Sequence, residues 1–364
     1  MRTASRKADH LRINIERDVL GKGIENGFAG WRFAHRALPQ IDLADVDPST
    51  EIFGRRLRAP ILISCMTGGT VEARQVNERL ARVSERHGFA MGLGSARALI
   101  EAPELLETFD VRSDAPNVLL FANMGAVQLN KGYGIEECRR LVDALGADAL
   151  VLHLNPLQEA LQPEGDTCFR GLLGKIAEIA GAAAFPVIVK EVGWGIAAPE
   201  VRALFDAGAA AVDVAGAGGT SWSEVERHRI AEPWKARVAA SFSDWGTPTA
   251  QCLIEARTAA PKERIFASGG ITTGVEVAKA LALGADLVGI ASAATLNAFP
   301  PDPLWPQTPE RISRHCRSVV VIAQRIPAGA FRCKTNIPVQ YMDMLVLRKM
   351  DKVSYRLAQD LEQA

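Results

Sequence analysis

The segment 153–159 reads His-Leu-Asn-Pro-Leu-Gln-Glu, so an imidazole, two carboxamides and a carboxylate fall within one short stretch. The apolar run 149–152 directly before it is typical of a parallel strand covered on both faces. Pro156 lacks the backbone N–H that would extend this strand. Ligands of α/β proteins bind at the carboxyl ends of strands, so His153 and its neighbours are candidate site residues. The alternative is that these side chains bond only loop backbone and that Glu159 is the first-turn acid of a helix.

The elements that must position this segment repeat along the chain. Apolar segments predict eight strands, at residues 60–64, 89–93, 118–122, 149–154, 187–191, 210–215, 264–268 and 286–291. Amphipathic segments predict helices between them, at residues 72–87, 103–111, 135–145, 169–180, 198–207, 222–242 continuing into 249–258, and 274–283. Eight strands that alternate with helices predict an α/β fold of the (β/α)8 TIM-barrel type, with a doubly wound open sheet as the alternative.

The two ends of the predicted strands differ in character. Before four strands, a glycine stands where a helix would end in the left-handed conformation, at Gly88, Gly146, Gly208 and Gly284. After the strands come polar or glycine-rich segments, at residues 65–70, 94–97, 123–125, 153–159, 190–193, 216–221, 268–270 and 291–292. The carboxyl ends of barrel strands share one face, so the sequence places all its candidate chemistry there.

Two glycine-rich segments favour a phosphate site. Gly269-Gly270 and residues 289–291 follow the seventh and eighth predicted strands, where barrels commonly bind phosphate on backbone amides. The segment 216–220 could add further amides and the Thr220 hydroxyl to the same anion. The alternative is that these glycines only form turns that need left-handed backbone.

Lys190 ends the fifth predicted strand. A lysine in that position seldom stays buried without an anionic partner. The partner could be a cofactor oxygen or a substrate anion, or a neighbouring carboxylate such as Glu191 or Asp213. The sequence leaves these alternatives open.

The composition excludes several classes of protein. Lys plus Arg and Asp plus Glu number 42 each, which argues against a nucleic-acid surface or a strongly anionic membrane partner. The six cysteines show neither close pairs nor the spacing of a zinc site, so we expect reduced thiols. We also expect no signal peptide and no membrane insertion, because no apolar run approaches the roughly 20 residues of a bilayer span. The sequence therefore predicts a cytoplasmic protein.

A series of motifs closely resembles the type 2 isopentenyl-diphosphate isomerases, which are flavin-dependent (β/α)8 enzymes. The resemblance covers residues 6–294, in the order and at the spacing of the family. The motifs are Arg6-Lys7-Ala8-Asp9-His10, Arg32-Phe33-Ala34-His35, Met66-Thr67-Gly68-Gly69, Gly94-Ser95-Ala96-Arg97, the segment 153–159, Lys190-Glu191-Val192-Gly193 and Ala217-Gly218-Gly219-Thr220-Ser221. The resemblance implies interconversion of isopentenyl and dimethylallyl diphosphate by a 1,3-allylic proton shift.

The resemblance also implies roles for individual residues. FMN would be held by Met66, Thr67, Gly68, Ser95, Asn123, Lys190, Thr220, Gly269, Gly270 and Ala291. The isoprenoid diphosphate would be bound by Arg6, Lys7, His10, Ser95 and Arg97, with position 96, His153, Asn155 and Gln158 nearby. Glu159 would ligate Mg2+, which takes oxygen ligands and can share them with phosphates. Gln158 and His153 would orient the substrate or relay protons, while FMN, reduced by NADPH, acts as the main acid and base.

The family resemblance further implies a homo-oligomer, either a tetramer or an octamer. We expect residues 1–58 to form an arm that contributes to the diphosphate site, 59–325 the catalytic barrel and 326–364 a divergent C-terminal tail. The chain departs from the family at Ala96, where a glutamine is usual, and over 318–364, where no family pattern is found.

Two other functions compete with the isomerase. One is another FMN-dependent barrel oxidoreductase, such as a 2-hydroxy-acid oxidase, which needs a histidine and an arginine near the last strands. Residues 267–292 contain neither. The other is a non-catalytic binder of flavin or isoprenoid phosphate, which the substitution at Ala96 and the unusual tail favour.

Overall fold

The computed structural model describes residues 2–33, 35, 37, 38, 40, 42, 45–291 and 331–333. Its strands are β1 Trp31–Phe33, β2 Thr50–Ile52, β3 Arg55–Leu57, β4 Ile61–Ile63, β5 Ala90–Gly92, β6 Leu120–Gly125, β7 Ala149–Leu154, β8 Val187–Glu191, β9 Ala211–Asp213, β10 Ile265–Ala267, β11 Leu287–Ile290 and β12 Phe331–Cys333. Strands β4 to β11 pair in parallel in chain order, and β11 pairs with β4. This pairing closes the barrel and confirms the predicted fold, so the open-sheet alternative is wrong.

The helices alternate with the barrel strands. They are α1 Arg2–Glu16, α2 Val71–His87, α3 Arg97–Glu101, α4 Ile135–Leu145, α5 Pro156–Leu161, α6 Leu172–Ala182, α7 Ala198–Asp206, α8 Trp222–Arg229, α9 Pro233–Ala240, α10 Thr249–Ala259 and α11 Gly274–Ala282. The predicted helix 222–242 is divided into α8 and α9, because Pro233 cannot continue a preceding helix and begins a new one instead. Residues predicted helical at 103–111 form the 3-10 turn Pro103–Thr108.

Glycines end several of the barrel helices as predicted. Gly88 and Gly146 cap α2 and α4 with left-handed backbone, at φ of 67° and 55°. Gly208 and Gly284 follow α7 and α11 and also have positive φ. A side chain at these positions would be strained, so each glycine lets the chain turn directly from a helix into the next strand.

The barrel interior is a packed core rather than a channel. Every barrel strand contributes at least one buried side chain to it, namely Leu62, Ala90, Phe121, Val151, Ile188, Ala211, Phe266 and Leu287. The β2–β3 hairpin adds Ile52 and Leu57 to this core, and the Phe53 ring lies 6.2 Å from the rings of Phe121 and Phe266. The hairpin therefore covers the amino end of the barrel, which leaves the carboxyl end for a site.

Helix α1 packs beside the carboxyl end. Its Ile13, with Val19, forms a small apolar cluster against Val225 and Trp222 of α8. Part of the predicted arm 1–58 is thus a helix tied to the barrel. Of the predicted tail 326–364, only 331–333 are described, as strand β12 antiparallel to β1.

Four of the six cysteines have described side chains, and none of these four is in a disulfide. Cys65, Cys138, Cys168 and Cys252 all carry free thiols, as expected; Cys316 lies outside the described residues. Among the described residues, no helix is both long and apolar enough to cross a membrane.

Candidate active site

A cavity of about 280 Å3 opens between the carboxyl ends of the barrel strands and α1. Nearly all the predicted site residues line it: Arg6, Lys7, His10, Met66, Thr67, Gly68, Ser95, Arg97, Asn123, His153, Asn155, Gln158, Glu159, Lys190, Thr220, Gly269, Gly270 and Ala291. Ala96 does not line the cavity. It is fully buried, and its backbone N–H donates to the carbonyl of Asn123 at 2.7 Å. The structure thus brings together residues from the whole length of the barrel.

Glycine loops form one wall of this cavity. Gly269 and Gly270 have φ of 108° and 68°. A Cβ on Gly269 would overlap the carbonyl oxygen of Gly216, and a Cβ on Gly270 would overlap that of Gly218. The loops after β9 and β10 therefore pack backbone against backbone, with no room for side chains. Such a wall suits the phosphate of a nucleotide, because amides can approach an anion closely.

The loops after the first two barrel strands are packed just as closely. The Gly94 N–H donates to the Thr67 carbonyl at 2.9 Å, and a Cβ on Gly94 would lie 2.6 Å from the Thr67 backbone. On the other side of that loop, a Cβ on Gly68 would overlap the Phe109 ring. These closely packed loops line the cavity, so a flat ring could lie against their backbone.

Lys190 lies on the cavity floor and is only 8% exposed. Its ammonium donates to the Glu191 carbonyl at 2.7 Å and to Ser268 Oγ at 3.3 Å, and lies 3.6 Å from Asp213 Oδ2. Ser268 Oγ in turn donates to Asp213 at 2.8 Å. Of the alternatives that the sequence left open, Asp213 is the carboxylate partner. Lys190 also lines the cavity, and its contact with a cofactor or substrate anion stays a prediction.

His153 is a neutral imidazole in this site. Its Nδ1 lies 2.8 Å from Asn123 Oδ1, which can only accept, so Nδ1 carries the proton and Nε2 has a free lone pair. Burial, together with the positive charges of Lys190 and Arg6 and their neighbours, lowers the pKa of His153 to about 3. At neutral pH this residue can orient a partner but is not an acid.

The residues at the start of α5 form a connected group. Asn155 Nδ2 donates to Gln158 Oε1 and to Glu159 Oε1, each at 3.0 Å. Glu159 Oε2 accepts from Gln162 Nε2 and, at 2.6 Å, from the backbone N–H of Asp166. Asn155 Oδ1 is buried without a partner. Glu159 is therefore more than the first-turn acid of a helix, because its carboxylate is fixed in the cavity next to the unpartnered Oδ1 of Asn155.

This oxygen-rich group fits a magnesium ion only if the substrate shares in the coordination. The described residues contain no group of three or more His, Cys, Asp or Glu side chains placed to hold a metal. Glu159 and the free oxygen of Asn155 would provide hard oxygen ligands, and Mg2+ commonly completes such a shell with phosphate oxygens and water.

Basic side chains from α1 and α3 face the same part of the cavity. Lys7 donates to the Ser95 carbonyl at 2.6 Å and lies 4.7 Å over the Phe109 ring. Burial and the nearby cations Arg6 and Arg97 lower its pKa to about 7. Burial and Arg97 likewise lower the pKa of Arg6. Cations that destabilise each other in this way form a site for an anion of more than one charge.

Glu226 of α8 is a site residue that the sequence analysis missed. Its fully buried carboxylate binds His10 Nε2 at 2.9 Å, Gln158 Nε2 at 3.1 Å and Arg229 Nη1 at 2.6 Å. Burial alone would raise the pKa of Glu226, but His10 and Arg229 outweigh it and the pKa is lowered. Glu226 thus joins α1, α5 and α8 through one ionised group. Gln128 and Gln162 are other unpredicted polar residues, and they line the cavity, whereas Asp166 contacts Gln128 and Glu159 from just outside it.

Comparison with known proteins agrees with this geometry. Residues 165–298 match the family model described as FMN-dependent dehydrogenase. Among solved structures, a lactate oxidase of Pediococcus acidilactici superposes with a TM-score of 0.57 at 16% identity, over 100% of this chain and 91% of that one. A mandelate oxidase superposes at 0.51 with 21% identity, over 79% and 85% of the two chains. At such identities the likeness shows the fold. The family match over residues 165–298 supports an FMN-dependent enzyme.

Curated relatives narrow this class. The isopentenyl-diphosphate delta-isomerase of Nostoc sp. is 52% identical over 289 residues, which are 79% of this chain and 83% of the relative. That of Synechocystis sp. is 54% identical over 80% and 83% of the two chains. That of Oceanobacillus iheyensis is 47% identical over 79% and 82%. The chain belongs to the type 2, FMN-dependent isopentenyl-diphosphate delta-isomerases.

Proposed function

We propose that this chain interconverts isopentenyl and dimethylallyl diphosphate by a 1,3-allylic proton shift, with reduced FMN and Mg2+ bound in the cavity. The observation that carries the proposal is that one cavity is lined both by glycine loops with Lys190 and by the cations Arg6, Lys7 and Arg97. We assign the glycine loops and Lys190 to a first part of the site and the three cations to a second. Family membership at about 50% identity supports the same activity, whereas the 2-hydroxy-acid oxidases share only the fold.

The first part would hold the cofactor. Its phosphate would lie against the loops of Gly269 and Gly270, and its ring against Met66 to Gly68 and near Asn123 and Lys190. Reduced FMN, when bound, supplies an electron-rich ring that stabilises positive charge and an edge that exchanges protons. We propose NADPH as the reductant that brings FMN to this state.

The second part would bind the substrate. Arg6, Lys7 and Arg97 would neutralise the diphosphate, and Glu159 would share Mg2+ with it. Closure of α1 over this end would exclude water from a reaction that develops a tertiary cation. The proposed role of the arm 1–58 in the diphosphate site rests on these α1 residues.

Gln158 and His153 would orient the reacting groups. The neutral imidazole of His153 is fixed by Asn123, so we assign it an orienting role rather than that of an acid. The Gln158 amide is held between Asn155 and Glu226. Glu226 is thereby one hydrogen bond away from a cavity-lining amide, and its charge would hold the Gln158 amide in the orientation that the reaction needs.

Replacing Gln158 by alanine is expected to lower kcat by roughly 10- to 100-fold, while FMN stays bound. The reason is that the variant breaks the link between Asn155 and Glu226 without altering the glycine loops. Steady-state kinetics on the FMN-loaded enzyme measure this effect, with Gln251→Ala on the exposed face of α10 as the matched control. Unchanged turnover would remove Gln158 from the mechanism.

Substrate affinity is expected to fall above pH 7, by up to about tenfold per pH unit. Lys7, with its pKa lowered to about 7, is largely neutral above that pH in the free enzyme, whereas a bound diphosphate favours the ammonium. Binding then takes up one proton, and a higher pH opposes it. Lys7→Arg stays charged and should flatten the profile. Calorimetric titration with isopentenyl diphosphate from pH 7 to 9 compares the two, and equal slopes would contradict this role for Lys7.

The activity itself is tested by anaerobic incubation of the protein with FMN, NADPH, Mg2+ and isopentenyl diphosphate. We expect dimethylallyl diphosphate to form only when the flavin is reduced and to be lost when Mg2+ is chelated. Flavin that stays bound without any product would favour the non-catalytic binder. We further propose that the enzyme works in the cytoplasm as a homo-oligomer, a tetramer or an octamer, which gel filtration with light scattering measures.

A further inference from the structure

Asp166 lies in the loop that follows α5 and makes contacts that the proposed roles leave unexplained. Its Oδ2 accepts from Arg97 Nη1 at 3.4 Å and from Gln128 Nε2 at 3.2 Å. Its Oδ1 pairs with the Lys131 ammonium at 2.9 Å. The side chains of Arg97 and Asp166 are 19% and 23% exposed, so the contact between these two is largely shielded from solvent, whereas Lys131 is 43% exposed.

The backbone of the same residue reaches a second functional group. The Asp166 N–H donates to Glu159 Oε2 at 2.6 Å. The residue before it, Gly165, passes so close to α5 that a Cβ there would overlap the Glu159 carbonyl. The loop is therefore folded tightly against the end of α5, and Asp166 has little freedom to shift relative to Glu159.

We propose that Asp166 is a positioning residue that fixes Arg97 and Glu159 relative to each other, so that both meet one diphosphate and its Mg2+. The inference rests on the proposed function of these two residues. Arg97 is the first residue of α3 and Glu159 lies on α5, and the Asp166 loop connects them directly. Holding a long guanidinium before the ligand arrives reduces the entropy lost on binding.

Charge alone predicts that removing Asp166 would tighten diphosphate binding, whereas a positioning role predicts weaker binding, so one measurement separates the two. A bare carboxylate next to Arg97 would repel a diphosphate and compete for the guanidinium, so its removal would tighten binding. Asp166 is not bare, because Lys131 pairs with it at a shorter distance than Arg97 does. The pair with Lys131 offsets the repulsion between Asp166 and a diphosphate. The contact that orients Arg97 then decides whether removing the Asp166 charge weakens or tightens binding.

The test is calorimetric binding of isopentenyl diphosphate to the FMN-loaded, oxidised enzyme in the presence of Mg2+. Asp166→Asn keeps the shape and the backbone N–H, and we expect it to weaken binding about five- to tenfold. Arg97→Ala should weaken binding by at least as much. Because Asp166 acts through Arg97, the double variant should bind no more weakly than Arg97→Ala alone. The control is Asp206→Asn, which removes an exposed pair with Arg202 and should leave binding unchanged.

A second variant tests the backbone half of the proposal. Gly165→Ala leaves both carboxylates in place but should displace the loop from α5. We expect it to raise the Mg2+ concentration needed for half-maximal substrate binding at least threefold.

Unchanged or tighter binding by Asp166→Asn, or additive losses in the double variant, would overturn the inference while leaving the proposed function intact. If Arg97→Ala bound the substrate normally, or if the wild-type protein did not bind it, the proposed function would fail first.

Discussion

Replacing Lys190 by methionine is expected to yield a protein that no longer retains FMN and that is less stable by about 3–5 kcal/mol. The side chain of Asp213 is almost fully buried, and Lys190 is the cation next to it. Without that ammonium a carboxylate remains buried and uncompensated, which is the costly way to break such a pair. The cavity would also become negative where we propose that the flavin ring lies.

The loss of FMN is measured from the flavin that coelutes with the protein on gel filtration. The loss of stability is measured by urea unfolding of the apoprotein. Lys262→Met is the matched control, since Lys262 is exposed. The double variant Lys190→Met/Asp213→Asn removes both charges, so it should recover much of the stability but still fail to hold FMN. Full flavin binding by the double variant would show that Lys190 serves the fold alone.

Glu226→Gln is expected to lower turnover by about 100-fold and to raise the substrate KM, with FMN retained. The variant keeps the shape of the side chain but removes the charge that binds His10 and Arg229. Gln158 would lose a firm acceptor, and α1 would be held less tightly over the cavity. Steady-state kinetics measure both effects, and Glu232→Gln, in an exposed pair with Lys235, is the control. A change confined to KM would restrict Glu226 to holding α1.

The same variant should alter stability in acid. Because the pKa of Glu226 is lowered in the folded state, its contribution to stability is present above the ordinary carboxyl pKa and is lost as pH falls through the folded-state value. Glu226→Gln should therefore show a shallower loss of unfolding free energy below about pH 4.5 than the wild type. Equal acid slopes would contradict the buried ion pair.

The barrel and its cavity were predictable because each repeated unit carries local signals. Gly88 and Gly146 mark the ends of helices, and the apolar run 149–152 is followed at once by His153 and its polar neighbours. The strand and the site could therefore be predicted from neighbouring positions. The division of 222–242 was missed, although Pro233 was visible, because the apolar pattern continues beyond it.

The connections between distant residues were not predictable. Glu226 and Arg229 stand three apart on a highly charged helix, which is the pattern of a solvent-exposed pair. The carboxylate of Glu226 is buried against His10, which lies 216 residues earlier on α1. The proposed role of Asp166 likewise depends on its contact with Arg97, which is 69 residues away in the chain. One sequence holds no signal for such contacts.

The β2–β3 hairpin, whose Phe53 covers the amino end of the barrel, leaves the opposite end for ligands in the described part of the chain. Under the proposed function, cofactor and substrate would share that end, where α1 packs. The flavin ring would lie deeper, against the strand ends, and a bound diphosphate would lie above it. Loading would then be sequential, with flavin first and substrate second. Substrate exchange would also require α1 to move, so a bulky fusion before Arg2 should slow substrate exchange without disturbing the flavin.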